Sequence, residues 1–220
     1  MKKVFSLSFL FFYSLFYGQT KYSFDYLIEY EYKRDANTPS KTVFLLTNSE
    51  DNSYHIIAHE NNSATLDIYF SHEKGLLSSS LVHRKGFFIS ENIDLPCESV
   101  RYQKDKVDLK RYEFAINPDT LIVNVLYKNY SMKYRREREA LRYKTGKSYY
   151  IIENGTEFHK PLLIFSSVFD VSVTSEIFPN GIAKEIYNTS KFGLKSHYKL
   201  VKYTKVNKTI AFPNCPIIQP

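Results

Sequence analysis

Apolar and polar residues alternate with period two along much of this chain. From Tyr22 to Tyr32 the sequence reads YSFDYLIEYEY. Successive side chains of a strand point to opposite faces. Phe24, Tyr26, Ile28, Tyr30 and Tyr32 therefore fall on one side of an extended backbone. Asp25, Leu27, Glu29 and Glu31 fall on the other. A helix would scatter the tyrosines around its circumference, so the segment predicts a strand with an aromatic face to bury and a mostly acidic face to wet.

Further short strands with turn signals between them follow. Lys41–Thr47, Tyr54–His59, Thr65–His72, Leu76–Arg84 and Phe87–Ser90 are joined by links too short for crossover helices, which predicts antiparallel hairpins. Pro96–Asp108 reads as a loop or an edge. Strands are expected at Lys110–Ile116 and Thr120–Tyr130, with a turn at Asn117-Pro118-Asp119. Ser148–Glu153 and Thr156–His159 flank Asn154-Gly155, the strongest short hairpin signal, because both residues tolerate positive φ. Leu162–Ile177 fits either a short helix or an apolar strand. Ile182–Tyr187, Leu194–Val206 and Lys208–Phe212 complete the series. The expected fold class is mainly β: a curved antiparallel sheet or partly open β-barrel with one or two short helices.

Ahead of the first strand, Lys2 and Lys3 precede an uncharged, mostly apolar run from Val4 to Tyr17, with small Gly18 after it. That is the layout of a secretory signal peptide, and the run is shorter than the roughly 20 residues a spanning helix needs. Residues 1–18 are expected to be removed and 19–220 to form one β-rich exported domain, periplasmic or extracellular. The sequence holds 19 Tyr and 17 Phe but no Trp, 7 Gly and 8 Pro. Aromatic residues suit a pleated, half-buried surface, and so little Gly and Pro argues against disorder.

Charge is uneven along the chain. Residues 19–100 are net acidic, 101–150 strongly basic and 151–220 mildly basic. Such asymmetry fits internal complementarity, or a basic face toward an anionic partner. After export that partner is a lipid headgroup or a polysaccharide of the envelope; nucleic acid is not expected. The sharpest basic run is Lys133 to Lys144, whose Arg135, Arg136, Arg138 and Arg142 form a candidate anion-binding loop. The alternative is a solvated face, a short helix in which Glu137 and Glu139 offset part of the charge. The two cysteines, Cys97 and Cys215, are expected to pair once exported. The loop so closed corresponds to about 4–5 kcal/mol on the chain-entropy model.

Catalytic patterns are weak. Thr145-Gly146-Lys147-Ser148 resembles the end of a phosphate-binding loop, but Leu141 stands where that pattern needs glycine. His55 and His59, with His72, could in principle make a three-His metal site, yet no carboxylate or Cys spacing reinforces them. Edge or surface histidines are the expected reading. No G-x-S-x-G elbow occurs. No catalytic residue, cofactor or metal is assigned, and an enzyme is not the favoured class.

The stretches FDYLIEYEYK, LTNSEDNSY, TEFHKPLL, FPNGIAKE and the terminal Pro-Asn-Cys, behind a Lys-Lys signal ending Gly18-Gln19, resemble uncharacterised exported proteins of the Bacteroidetes. That family has no established activity, so the resemblance implies no catalytic residues. A meander of long strands after a signal peptide is also similar, at fold level, to the half-open β-barrels of periplasmic lipoprotein carriers. The leading expectation is a non-catalytic binding module whose concave aromatic face, with Phe24, Tyr26, Ile28 and Tyr30, holds an apolar or lipid-like ligand. The same four residues could instead fill a solid core. A structural or interaction protein using the basic middle, and a hydrolase without a recognisable motif, are the alternatives. Ligand identity and oligomeric state are not legible.

Overall fold

A computed structural model describes residues 20–103, 111–142, 146–162, 178–190 and 193–212. The expected signal segment and Cys215 lie outside them. The chain runs β1 (Thr20–Lys33), β2 (Lys41–Thr47), β3 (Tyr54–Glu60), β4 (Thr65–His72), β5 (Leu76–His83), α1 (Arg84–Ile89) and β6 (Asn92–Asp94). A 3-10 turn at Cys97–Ser99 leads to β7 (Val100–Tyr102), then β8 (Tyr112–Ile122), β9 (Val125–Tyr134), α2 (Glu137–Arg142), β10 (Lys147–Ile152), β11 (Ala183–Ser190) and β12 (Gly193–Phe212).

Among the described residues, twelve strands join one sheet, in the order β7-β5-β4-β3-β2-β1-β12-β11-β10-β9-β8, with β6 added beside β12. Every pairing is antiparallel except β6 with β12. β7 and β8 end the order without meeting, so the sheet is open rather than a closed barrel.

The centre of the sheet is the β1–β12 ladder, which runs from Thr20↔Phe212 to Lys33↔His197. Its register slips twice, between Phe24 and Tyr26 and between Glu29 and Tyr30, each time with the extra residue on β12. Such bulges bend a strand and increase its twist. They divide the apolar side chains between two cores. Tyr26, Ile28, Tyr30 and Tyr32 of β1 pack with Tyr198 and Leu200 of β12, and with Tyr150, Ile186 and Phe178. Tyr22, Phe24 and Leu27 pack instead with Ile210 and Phe212, and with Phe44, Ile56, Ile68 and Phe70. β2 feeds both, Val43 and Leu45 into the first core and Phe44 and Leu46 into the second. This explains why Val43 to Leu46 are all buried where simple alternation would wet every other one. The Tyr30 hydroxyl reaches past β12 to donate to the Ala183 carbonyl at 2.8 Å, which ties β1 to the start of β11.

Four expectations need correction. Phe87–Ile89 is part of helix α1, not a strand, and Ser90 caps it. A strand would send neighbouring Phe87 and Phe88 to opposite faces, whereas both join the second core, Phe88 with its ring centroid 4.9 Å from that of Phe44. Asn117-Pro118-Asp119 is a bulge inside the single strand β8; the turn falls later, at Val123-Asn124. Pro118 is tolerated because β8 is an edge strand, where a missing N–H breaks no central ladder. Thr156–His159 forms no strand, and β10 pairs with β9 and β11 instead. Leu194–Val206 and Lys208–Phe212 are one strand, the 20-residue β12.

Candidate functional site

The β8–β9 hairpin closes the end of the sheet, with Phe114 opposite Met132, Ala115 opposite Ser131 and Ile116 opposite Tyr130. Phe114, Ala115, Ile116, Tyr130 and Ser131, with Phe178 from the segment before β11, line a cavity of about 310 Å³. Phe178 is the buried wall. Its ring meets Phe114 edge-on at 5.0 Å and Tyr150 at 5.7 Å, and it belongs to the first core. Ile116 is 79% exposed and stands at the mouth.

One buried polar group lies in the wall. The Ser131 hydroxyl donates to Asn117 Oδ1 at 3.2 Å, so a neighbour already satisfies it. Asn117 Nδ2 donates to Asn129 Oδ1 at 3.2 Å, and Asn129 Nδ2 donates to Thr120 Oγ1 at 3.0 Å. This polar ladder fixes the hairpin's rungs beyond the cavity. Behind Phe178, burial pushes the Tyr150 hydroxyl well above its usual range, so it stays protonated. Among the described residues the lining carries no carboxylate, imidazole or thiol. Its chemistry suits holding an apolar group by burial rather than moving protons.

The sequence-predicted residues lie elsewhere. Phe24, Ile28 and Tyr30 are fully buried, and Tyr26 is half-buried. Tyr26, Ile28 and Tyr30 share the first core, but Phe24 lies in the second, because the face changes at Asp25. Arg135, Arg136, Arg138 and Arg142 are all exposed at the end of β9 and along α2, and Arg135 Nη2 donates to the Tyr112 carbonyl at 3.4 Å. Lys147 and Ser148 begin a strand, so the phosphate-loop-like segment opens no helix.

No cluster able to hold a metal occurs among the described residues. His55 is buried in β3 rather than at the surface, and burial lowers its pKa to about 4. His72 stacks on Tyr54. His159, which carries no sequence signal, is wholly buried, with Nε2 2.8 Å from Thr47 Oγ1. It anchors the 153–162 loop against β2, helped by Lys160 N–H donating to the Ser49 carbonyl at 2.9 Å.

Sequence reasoning missed Phe114, Ile116, Tyr130, Ser131 and Phe178. The alternation in YEFAI carried Phe114 and Ile116, but only pairing across 16 residues brings Ser131 beside them, and Phe178 arrives from a distant loop.

The sequence matches no protein-family model. No curated protein matches it either. Among solved structures it is similar to an uncharacterised conserved protein from Thermus thermophilus, with TM-score 0.46, 4% identity, and coverage of 83% of this chain and 79% of that one. It is also similar to a chain of the Pseudomonas aeruginosa MucA/MucB complex, with TM-score 0.40, 10% identity, and coverage of 86% of this chain and 53% of that one. The chain thus spans about half the length of that relative. A domain from Vibrio parahaemolyticus assigned to outer membrane lipoprotein sorting gives TM-score 0.29, 9% identity, and coverage of 84% of this chain and 85% of that one. No score among these reaches 0.5, and such likeness carries no argument about function.

Proposed function

We propose that this chain is an exported envelope protein that binds an apolar, lipid-like ligand in the β8–β9 cavity without chemically changing it. The observation that carries this is an apolar-walled cavity of about 310 Å³ whose mouth residue, Ile116, is left open to solvent. That volume lies at the lower end of the range for small-molecule pockets, roughly 300–1,000 Å³, and suits one acyl chain better than a whole phospholipid. Export through a cleaved leader at residues 1–18 belongs to the same proposal and is supported by the charge and apolar layout of that segment.

A disulfide between Cys97 and Cys215 is also proposed. β6 and β12 run parallel, with Asp94 beside Ala211, and Cys97 follows Asp94 by three residues in sequence as Cys215 follows Ala211 by four.

A second reading, an interaction protein for an anionic envelope component, is favoured by the four exposed arginines gathered between Arg135 and Arg142.

Native mass spectrometry of the protein purified from its own envelope, followed by lipid extraction, tests the first reading. A co-purifying apolar ligand of fixed mass is expected. A clean apo mass under gentle conditions, with no lipid in the extract, counts against it.

A further inference from the structure

The β8–β9 hairpin ends in an apolar tip that neither core uses. Leu121 faces Leu126 across the ladder and Ile122 faces Val125, so these two rungs display hydrophobic pairs on opposite faces of the hairpin. Leu121 is 62% exposed, Leu126 59% and Val125 43%. Val123, at the turn itself, is 90% exposed.

The turn is also strained in an informative way. Val123 has φ 47° and Asn124 φ 62°. Two positive-φ residues are what a two-residue type I′ hairpin requires, and asparagine followed by glycine is the usual occupant. A β-branched side chain in the left-handed region is a genuine outlier. At Val123 the chain forgoes an easy asparagine or glycine and exposes an isopropyl group instead. Strain kept at an exposed position is a mark of function.

We infer that this tip inserts into a lipid surface. A groove on a protein partner would call for one apolar face, whereas here both faces and Val123 at the turn are apolar; Asn124 completes the turn, and Asn154 Nδ2 donates to the Leu126 carbonyl at 3.1 Å. The apolar zone ends abruptly at the Thr120↔Tyr127 rung, where the asparagine ladder begins. At that boundary Tyr127 is buried under Lys184, whose Nζ is paired with Glu153 at 2.8 Å, and Lys128, next in sequence, is exposed. An exposed basic group such as Lys128 belongs at such a boundary, where one end is apolar and the other wet.

From Val123 to that rung the strands rise about 10 Å at roughly 3.4 Å per residue. Interfacial elements bury to about 5–10 Å, a depth at which headgroups and water still reach backbone groups. The tip is therefore sized to anchor and not to span. The arginine run stands at the other end of β9, about 30 Å away at strand rise, so insertion at the tip does not draw on it.

Flotation of the full mature chain with vesicles of phosphatidylethanolamine and phosphatidylglycerol tests the inference. Wild type is expected to float with the vesicles. Leu121→Ser combined with Leu126→Ser, at positions already in solvent, should stay folded and lose binding at least about tenfold, as expected for removing buried apolar area. Val123→Gly should bind less well yet melt at a higher temperature. Ile116→Asp, which alters the cavity mouth, should float as wild type does, so failure of the cavity reading and failure of the tip are distinguishable. The inference is overturned if wild type stays in the aqueous phase, or if the double variant floats equally well. It also falls if the double substitution splits a dimer into monomers while vesicles bind neither form, since the tip would then meet a second copy of the chain.

Discussion

At the scale of single residues, burial decides protonation. His55 sits in β3 with its pKa lowered by burial to about 4. In the unfolded chain the imidazole takes up a proton below about 6.5. The unfolded state therefore binds more protons between those values, and stability falls as pH drops through that window. Above about 6.5 the contribution is fully present. The shift corresponds to about 3 kcal/mol on its own. Burial lowers His159 as well, in the same direction. Urea unfolding should show a lower midpoint at pH 5 than at pH 7, with a smaller drop in His55→Gln. An equal drop in the variant would clear His55 of this role. None of this was legible in the sequence, where His55 and His59 share a strand parity and read as edge groups. Burial on both faces of β3 depends on two separate cores, which no local pattern announces. Tyr30 was legible as inward-facing, but its hydroxyl bond to Ala183 was not, because the partner is 153 residues away.

At the scale of elements, α1 depends on a residue from the far end of the chain. Lys208 is buried, and its Nζ donates to the carbonyls of Phe88 at 3.1 Å and Ser90 at 2.6 Å. Burial pulls the lysine pKa down while Glu91 acts against that pull. A cation at a helix C-terminus satisfies carbonyls that the helix itself leaves unpaired. Lys208→Met should cost about 2–3 kcal/mol, since buried acceptors lose their donor. Chemical denaturation reads that loss, and a cost within error of zero would mean that water replaces the ammonium. This contact also explains why Asn207-Lys208 does not break β12: the lysine faces inward, and the bulge beside it resets the register. The first five strands were legible almost to the residue, because each is bounded by a polar turn. β8 and β9 were misdivided because proline usually marks a turn, and only its place on an edge strand excuses Pro118. The Asn154-Gly155 signal misled in the other direction. Gly155 does take φ 74°, but the chain beyond it is held by Thr156 and His159 side chains instead of a ladder.

At the scale of the whole molecule, one open sheet is shared by two cores joined along β1 and β12. The acidic β1 lies against the lysine-rich β12, as in the Glu29–Lys202 pair at 3.3 Å, so part of the charge asymmetry is met internally. Exposed pairs of this kind contribute at most about 1 kcal/mol each, so the cores carry the stability. The Cys97–Cys215 bond would fasten β6 to the chain end after β12. Intact mass of the native protein should fall about 2 Da below the reduced value, since a disulfide removes two hydrogens, and reduction should lower the melting temperature. Two titratable thiols in the native protein would refute the bond. The mainly β class, the curved antiparallel sheet and the short helix in the basic run were legible at this scale. The cavity was not, because its walls meet only when the hairpin end of the sheet curls against Phe178.

That cavity is the centre of the functional account, and Ile116 at its mouth gives the most direct test. Its exposure means that Ile116→Asp alters the entrance without disturbing either core. Titration of wild type and Ile116→Asp with a fluorescent fatty acid should give one saturable site in wild type and at least about tenfold weaker binding in the variant, from lost apolar contact and a charge at the entrance. Equal binding by both proteins, or none by either, would contradict the account.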